Sequence, residues 1–469
     1  MTKERIDRLR AELAAQQING FIVPRNDEHF GEWVPASAER LAWLTGFTGS
    51  AGLAIVLDDR AAVFVDGRYT LQVRDQVDLD VFEPRHVTEE PAGDWLRSAL
   101  KAGDRLGYDP WLHTEEGLKR LAKAAEAAQA ALVPVTSNPV DVIWTDRPAA
   151  PMAPVVPHED RFAGKPSAEK RAEIAAELAG KGVDAAVLTL PESFAWLLNI
   201  RGGDVPRTPL PLGFAILHAD AAVDLYMAPA KLSDATIAHL GGAVRRHAPG
   251  DFLDGLDQLA EKTVLVDKAT AVAAVTERLA AAGAKLVRGS DPTALPKARK
   301  NEAEIAGTRA AHVRDGAAVT KFLAWLDAQA PGTVDEMTAA EKLESYRRED
   351  NLMRDLSFDT ISGSGPNGAI VHYRVTEDTN RTLGAGELFL VDSGAQYLDG
   401  TTDITRTVAI GEPNAEMRER FTRVLKGHIA LATARFPKGT TGSQLDTLAR
   451  LPLWQAGLDF DHGTGHGVG

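Results

Sequence analysis

The stretch FLVDSGAQYLDGTTDITRT, Phe389 to Thr407, sets two aspartates, Asp392 and Asp403, eleven residues apart with a turn sequence between them. Leu390 and Val391 form an apolar run ending at Asp392, Tyr397-Leu398-Asp399-Gly400 supplies turn chemistry, and Ile404, Thr405, Thr407 and Val408 resume a β-rich pattern. The pattern predicts one β-hairpin with a carboxylate on each arm, close enough across the ladder to act together. Hard oxygen ligands held that way suit a pair of divalent cations.

Imidazoles supply the second constellation. His462 and His466 stand in HGTGHGVG with glycines at 463, 465, 467 and 469. No Glu follows His462 and the glycines oppose a helix, so the helical zinc motif HExxH is excluded; a Gly-rich loop or strand presenting one or two imidazoles is expected. In SFDTISGSGPNGAIVHY, Ser357 to Tyr373, a strand leads through a Gly/Pro/Asn loop into a second strand carrying His372. A lone His in an apolar strand is more often structural than catalytic, but three His and two Asp in Gly-rich segments of one region share a purpose. Asp399 is explained as a turn residue before Gly400, and Asp359 as a cap or loop hydrogen-bonder, so both stay outside the set. The set suits metal-assisted hydrolysis: a bridging Asp, a second Asp and a His hold ions roughly 3.5–4 Å apart and lower the pKa of a shared water, while further His polarise a carbonyl or move protons.

These residues need a scaffold, and the chain of 469 residues is long enough for about two to four domains. Pro148, Pro151, Pro154 and Pro157 read as an extended, semi-rigid connector, which puts a boundary near residues 145 to 165. A second break falls from Gly289-Ser290-Asp291-Pro292 to Pro296, before a helical pattern with Ile305, Val313, Val319, Phe322, Leu323 and Leu326. The first two regions look like copies. Each opens with an amphipathic helix (Ile6, Leu9, Leu13; then Ile174, Leu178) and passes into an apolar strand (Phe21 to Val23; then Ala186 to Leu188). Each then repeats Ala-Trp-Leu (Ala42 to Leu44; then Ala195 to Leu197) and continues to a Gly-hydrophobic-Ala-Ile segment (Gly52 to Ile55; then Gly213 to Ile216). The order predicts a duplicated α/β domain.

With 44% hydrophobic and 25% charged residues the composition is that of a soluble globular protein, and no apolar run is long enough for a membrane span. The first helix lacks a signal-peptide core, so the cytoplasm is the default compartment. Without cysteine, a metal must be held by oxygen and imidazole. A net charge of −14, from 52 basic against 66 acidic residues, argues against nucleic acid as a main partner.

Together the VDSGAQY strand, the DGTTDITRT hairpin, the GPNGAIVHY loop and HGTGHG closely resemble the three-domain Xaa-Pro aminopeptidases of the pita-bread metallopeptidase superfamily. GFTGSAGLAIV and VDGRYTLQ resemble its first creatinase-like domain, VIWTDRP the junction, and FAWLLNIRGGDVP its second creatinase-like domain. The resemblance implies an α/β (α+β) chain with creatinase-like domains over residues 1–147 and 160–290 and the first part of a pita-bread domain over 300–469. It makes Asp392, Asp403 and His466 ligands of a dinuclear centre, usually manganese, with Asp403 bridging. His372 and His462 take catalytic and substrate-binding places, and Arg68 a substrate-binding one. The implied reaction is hydrolysis of the N-terminal Xaa-Pro bond of peptides by metal-activated hydroxide, in a cytoplasmic homodimer. Two glutamates and a further histidine that complete such a site would lie beyond Gly469, so the chain is expected to be a fragment of a longer protein. A prolidase-like dipeptidase, which generally lacks the duplicated N-terminal domain, and a non-catalytic module binding peptides or proteins are the alternatives.

Overall fold

A computed structural model describes residues 2–467 and divides into two compact units, Met1–Asp66 with Gln72–Gly307, and Gly67–Leu71 with Thr308–Gly469. The first unit holds two six-stranded sheets. Strands β1 (Gly20–Pro24), β2 (Leu53–Leu57), β3 (Ala61–Val65), β4 (Glu83–His86), β5 (Arg105–Tyr108) and β6 (Ala131–Pro134) lie in the order β4-β3-β2-β1-β5-β6. The second sheet, of β7 (Ala185–Leu188), β8 (Phe214–His218), β9 (Val223–Tyr226), β10 (Val244–His247), β11 (Thr263–Asp267) and β12 (Lys285–Gly289), has the order β10-β9-β8-β7-β11-β12. Direction matches as well as order. In each sheet the two pairings from the first strand to the third are antiparallel and the remaining three are parallel.

The copies share small devices that explain their shared words. Helices α1 (Thr2–Ala15) and α3 (Ser167–Gly180) bury Ile6, Leu9 and Leu13, and Ile174 and Leu178, against their sheets. The Trp of each Ala-Trp-Leu sits on the next helix, α2 (Arg40–Thr45) or α4 (Pro191–Leu198), beneath a cation from the first. Arg5 lies 4.6 Å from the Trp43 ring and Lys170 lies 4.2 Å from the Trp196 ring, and each donates to the carbonyl of its Trp. Asn19 Oδ1 accepts from the Arg105 amide that opens β5, as Asp184 Oδ2 accepts from the Thr263 amide that opens β11. The repeat is thus structural: it closes two sheets in one way.

In the second unit, helices α5 (Glu302–Asp327) and α6 (Glu336–Arg347) pack on a three-stranded antiparallel sheet of β14 (Ile361–Ser364), β15 (Glu387–Ser393) and β18 (Ile404–Ile410). A smaller sheet joins β13 (Met353–Leu356), β16 (Ala395–Tyr397) and β17 (Gly400–Thr401). Val319, Phe322 and Leu326 of α5 meet Ala339, Leu343, Phe389 and Val391 in one core. Ile305 and Val313 do not join it, contrary to the pattern read from the sequence: they are 38% and 74% exposed. Helices α7 (Ala415–Ala432) and α8 (Gly442–Trp454) pack so closely that a Cβ on Gly427 would stand 2.1 Å from the Ala449 carbonyl oxygen. Among the described residues no helix is long and apolar enough to cross a membrane.

Candidate active site

The two aspartates flank a neck rather than the arms of one hairpin, which corrects the reading of the sequence. β15 and β18 pair with Asp392 opposite Thr405 and Ser393 opposite Ile404. After Ser393 the chain leaves this sheet, forms β16 and β17 around the two-residue turn Leu398-Asp399, and re-enters at Ile404. Asp403 therefore lies just before β18, outside any strand. Gly394 and Thr402 form the neck: a Cβ on Gly394 would stand 1.9 Å from the Thr402 carbonyl oxygen, and Thr402 Oγ1 accepts from the Ala395 amide at 3.0 Å. Asp399 is the turn residue expected, and its carboxylate is also held by Arg314 at 2.5 Å. Asp359, read as a cap or loop hydrogen-bonder, lies outside any helix or strand and forms an ion pair with Arg374 at 3.2 Å.

Burial raises the pKa of Asp392 above the ordinary carboxylate value, the neighbouring Asp403 charge raises it further, and the Thr405 hydroxyl and His466 oppose the shift. Its Oδ1 is buried without a hydrogen-bond partner. An acceptor left so costs about 1–3 kcal/mol, a cost that a bound cation would remove. His466 Nε2 lies 3.4 Å from Asp403 Oδ2, on an imidazole that is 74% exposed. Two carboxylates and one imidazole are donors that fit divalent manganese-type ions. Among the described residues, however, no group of three His, Asp or Glu side chains is placed so as to hold a metal ion by itself.

His462 and His466 lie on a loop, one of the two forms expected of this segment, although Val468 and Gly469 fall outside the described residues. The loop is held from α8. Arg450 donates to Asp446 and Asp459, and to the carbonyls of Phe460 and His462, while Asp446 also accepts from the Thr464 hydroxyl. The exposed His462 ring rests on Phe460, with centroids 4.6 Å apart.

His372 sits in a turn following a 3-10 segment, Gly365–Ala369, rather than in the strand read from the sequence. The Gly-Pro-Asn run after β14 favours the tight turn over extension. The fully buried carboxylate of Glu336, at the start of α6, gathers this loop: it accepts from the Ser364 and Arg381 amides, the Asn367 side chain and the Tyr373 hydroxyl, at 2.6–3.1 Å. Segment Gly67–Leu71 belongs to the same unit. A Cβ on Gly67 would stand 1.9 Å from the Asp461 carbonyl oxygen, and the Tyr69 hydroxyl lies 2.7 Å from His372 Nδ1. Arg68, between these two contacts, has its guanidinium 5.1 Å from the Tyr69 ring centre. The structure therefore brings Asp392, Asp403 and His466 together, and sets Arg68 on a segment that touches both other histidine-bearing loops.

Comparisons with known proteins agree with this layout. Models of the Creatinase/Prolidase N-terminal domain match residues 5–147 and 146–304, and that of Metallopeptidase family M24 matches 306–469. A probable Xaa-Pro aminopeptidase P of Aspergillus clavatus is 40% identical over 486 residues, covering 100% of this chain and 73% of the relative. The chain belongs to the Xaa-Pro aminopeptidase P family. A second family member, from Paracoccidioides brasiliensis, is 39% identical, with 100% of this chain and 79% of the relative covered. Among solved structures, the X-prolyl aminopeptidase of Caenorhabditis elegans, described as a cytosolic enzyme with a di-nuclear active site, is 34% identical with a TM-score of 0.95, covering 100% of this chain and 80% of its own. Dipeptidase PepE of Mycobacterium ulcerans, 27% identical with a TM-score of 0.51, covers only 64% of this chain and 80% of its own. For a family member, Glu336, Tyr69, Asp446 and Arg450 are the residues that sequence reasoning missed. Tyr69 stands beside Arg68 in VDGRYTLQ and Asp446 and Arg450 precede the HGTGHG segment, whereas Glu336 lies in none of the motifs.

Proposed function

We propose that the protein is a metal-dependent aminopeptidase that removes the N-terminal residue from peptides with proline in second position. Membership of the Xaa-Pro aminopeptidase P family over the whole chain supports the reaction class. The observation that carries the reading is the buried, unpartnered Asp392 Oδ1 beside Asp403 and His466. Asp392, Asp403 and His466 would hold two divalent ions, with manganese as the proposed metal. Such ions supply Lewis acidity and a nucleophilic water at neutral pH. His372 and His462 hydrogen-bond the peptide and move the proton to the proline nitrogen as it leaves, and Arg68 orients the peptide. A tertiary amide has no N–H to recognise, so binding must rely on the carbonyl and the free N-terminus.

We also keep the domain limits near 145–165 and 300, a homodimer as the assembly, and the cytoplasm as the location, the last supported by the cytosolic description of the nematode enzyme. A prolidase-like activity is disfavoured because PepE covers only 64% of the chain. A non-catalytic peptide- or protein-binding module is the alternative reading. Metal content by mass spectrometry, with release of the first residue from an Arg-Pro-Pro peptide in added manganese, tests the proposal. Bound metal and release are expected; neither would leave the binding module.

A further inference from the structure

Tyr69 is 1% exposed, and it meets His372 edge-on, with ring planes at 79° and centroids 5.5 Å apart, while its hydroxyl lies 2.7 Å from Nδ1. That contact decides where the single proton of a neutral imidazole resides, because the bond made by one ring nitrogen fixes the state of the other. A phenol O–H is a better donor than a neutral imidazole N–H, and the unprotonated ring nitrogen is a better acceptor than a phenol oxygen. We propose that Tyr69 is a positioning residue that donates its hydroxyl to Nδ1 of His372 and so fixes the tautomer protonated at Nε2. The far nitrogen then carries an N–H directed away from Tyr69, able to donate to a peptide carbonyl oxygen. The opposite tautomer would present a lone pair to that oxygen and repel it. Gly67, held against Asp461, and the 3-10 turn Gly67–Tyr69 set the backbone from which the phenol reaches the ring.

The proposal rests on His372 facing the substrate, and the test separates the two. In the nitrogen-15-labelled full chain, long-range proton–nitrogen correlations of the His372 ring, assigned by the signals missing from His372→Asn, are expected to report the Nε2–H tautomer with an accepting Nδ1. Tyr69→Phe keeps the ring contact, removes the donor and should shift the ring toward a tautomer mixture. An Nδ1–H tautomer in the parent, or unchanged signals in Tyr69→Phe, overturns the proposal; if that variant does not fold, the parent spectrum decides alone. In peptide hydrolysis, Tyr69→Phe should lower kcat by about tenfold or more with KM little changed, the size typical of losing an orienting partner. Full activity in His372→Ala would instead remove the role of His372, leaving the tautomer result to judge Tyr69.

Discussion

Asp392 keeps its Oδ1 buried without a hydrogen-bond partner, a cost that the proposed cation would remove. Its neighbours are fixed by groups far away in sequence. Behind Ser393 lies a fully buried ion pair: Arg347 donates to Asp315 at 2.6 and 3.0 Å and to the Ser393 carbonyl at 3.3 Å, and Tyr397 donates to Asp315 at 2.8 Å. Arg347→Met should leave Asp315 buried and unpaired, lowering stability by about 3–5 kcal/mol in denaturant unfolding; a loss below about 1 kcal/mol would contradict the role given to the pair. Glu336→Gln should cost about 2 kcal/mol, because donors that met a charged acceptor then face an amide, and chemical exchange broadening of Tyr373 signals would report the loosened loop. Asp392 and Asp403 were legible in the sequence because each sits where a β pattern starts or stops. Glu336, Arg347 and Arg450 were not, since a charged residue on a helix reads as solvated until its distant partners are known.

Elements were legible where their pattern was local. The paired helices and Ala-Trp-Leu segments gave the duplication, which the matching strand orders bear out. The nested hairpin was hidden because the step between sheets depends on the Gly394–Thr402 neck, and the turn of His372 on acceptors supplied by Glu336. Close approach of α7 and α8 at Gly427 makes a sharp test: Gly427→Ala should destabilise by about 1–3 kcal/mol through overpacking, despite alanine's better helix propensity, as read by thermal unfolding. The first unit carries an acid-sensitive element. Burial pushes His113 from 6.5 down to about 4, and burial with the nearby Arg201 and Lys170 charges pushes His158 down to about 3. Depressed pKa values mean that the folded state binds fewer protons, so their stabilisation is complete above the ordinary histidine value and is lost as pH falls toward the folded ones. Unfolding midpoints should therefore fall between pH ~6.5 and ~3, and His113→Leu should flatten part of that decline. A parallel decline in the variant would contradict the assignment.

At the scale of the whole molecule, the resemblance carried by a few motifs extended over the entire chain, as the 40% identical fungal relative confirms. Composition by itself had excluded only broad classes. What joined the motifs into one enzyme family was their order: duplicated α/β sheets, connector, then the aspartate pair and the histidine loops. The most direct measurement of the account is release of the N-terminal residue from an Arg-Pro-Pro peptide by the manganese-loaded chain, compared with its Asp403→Asn variant, with metal content determined on both. Bound manganese and release are expected of the parent, and a loss of about 100-fold or more in the variant together with its metal. A folded parent that binds no metal and releases nothing, or a variant as active as the parent, would contradict it.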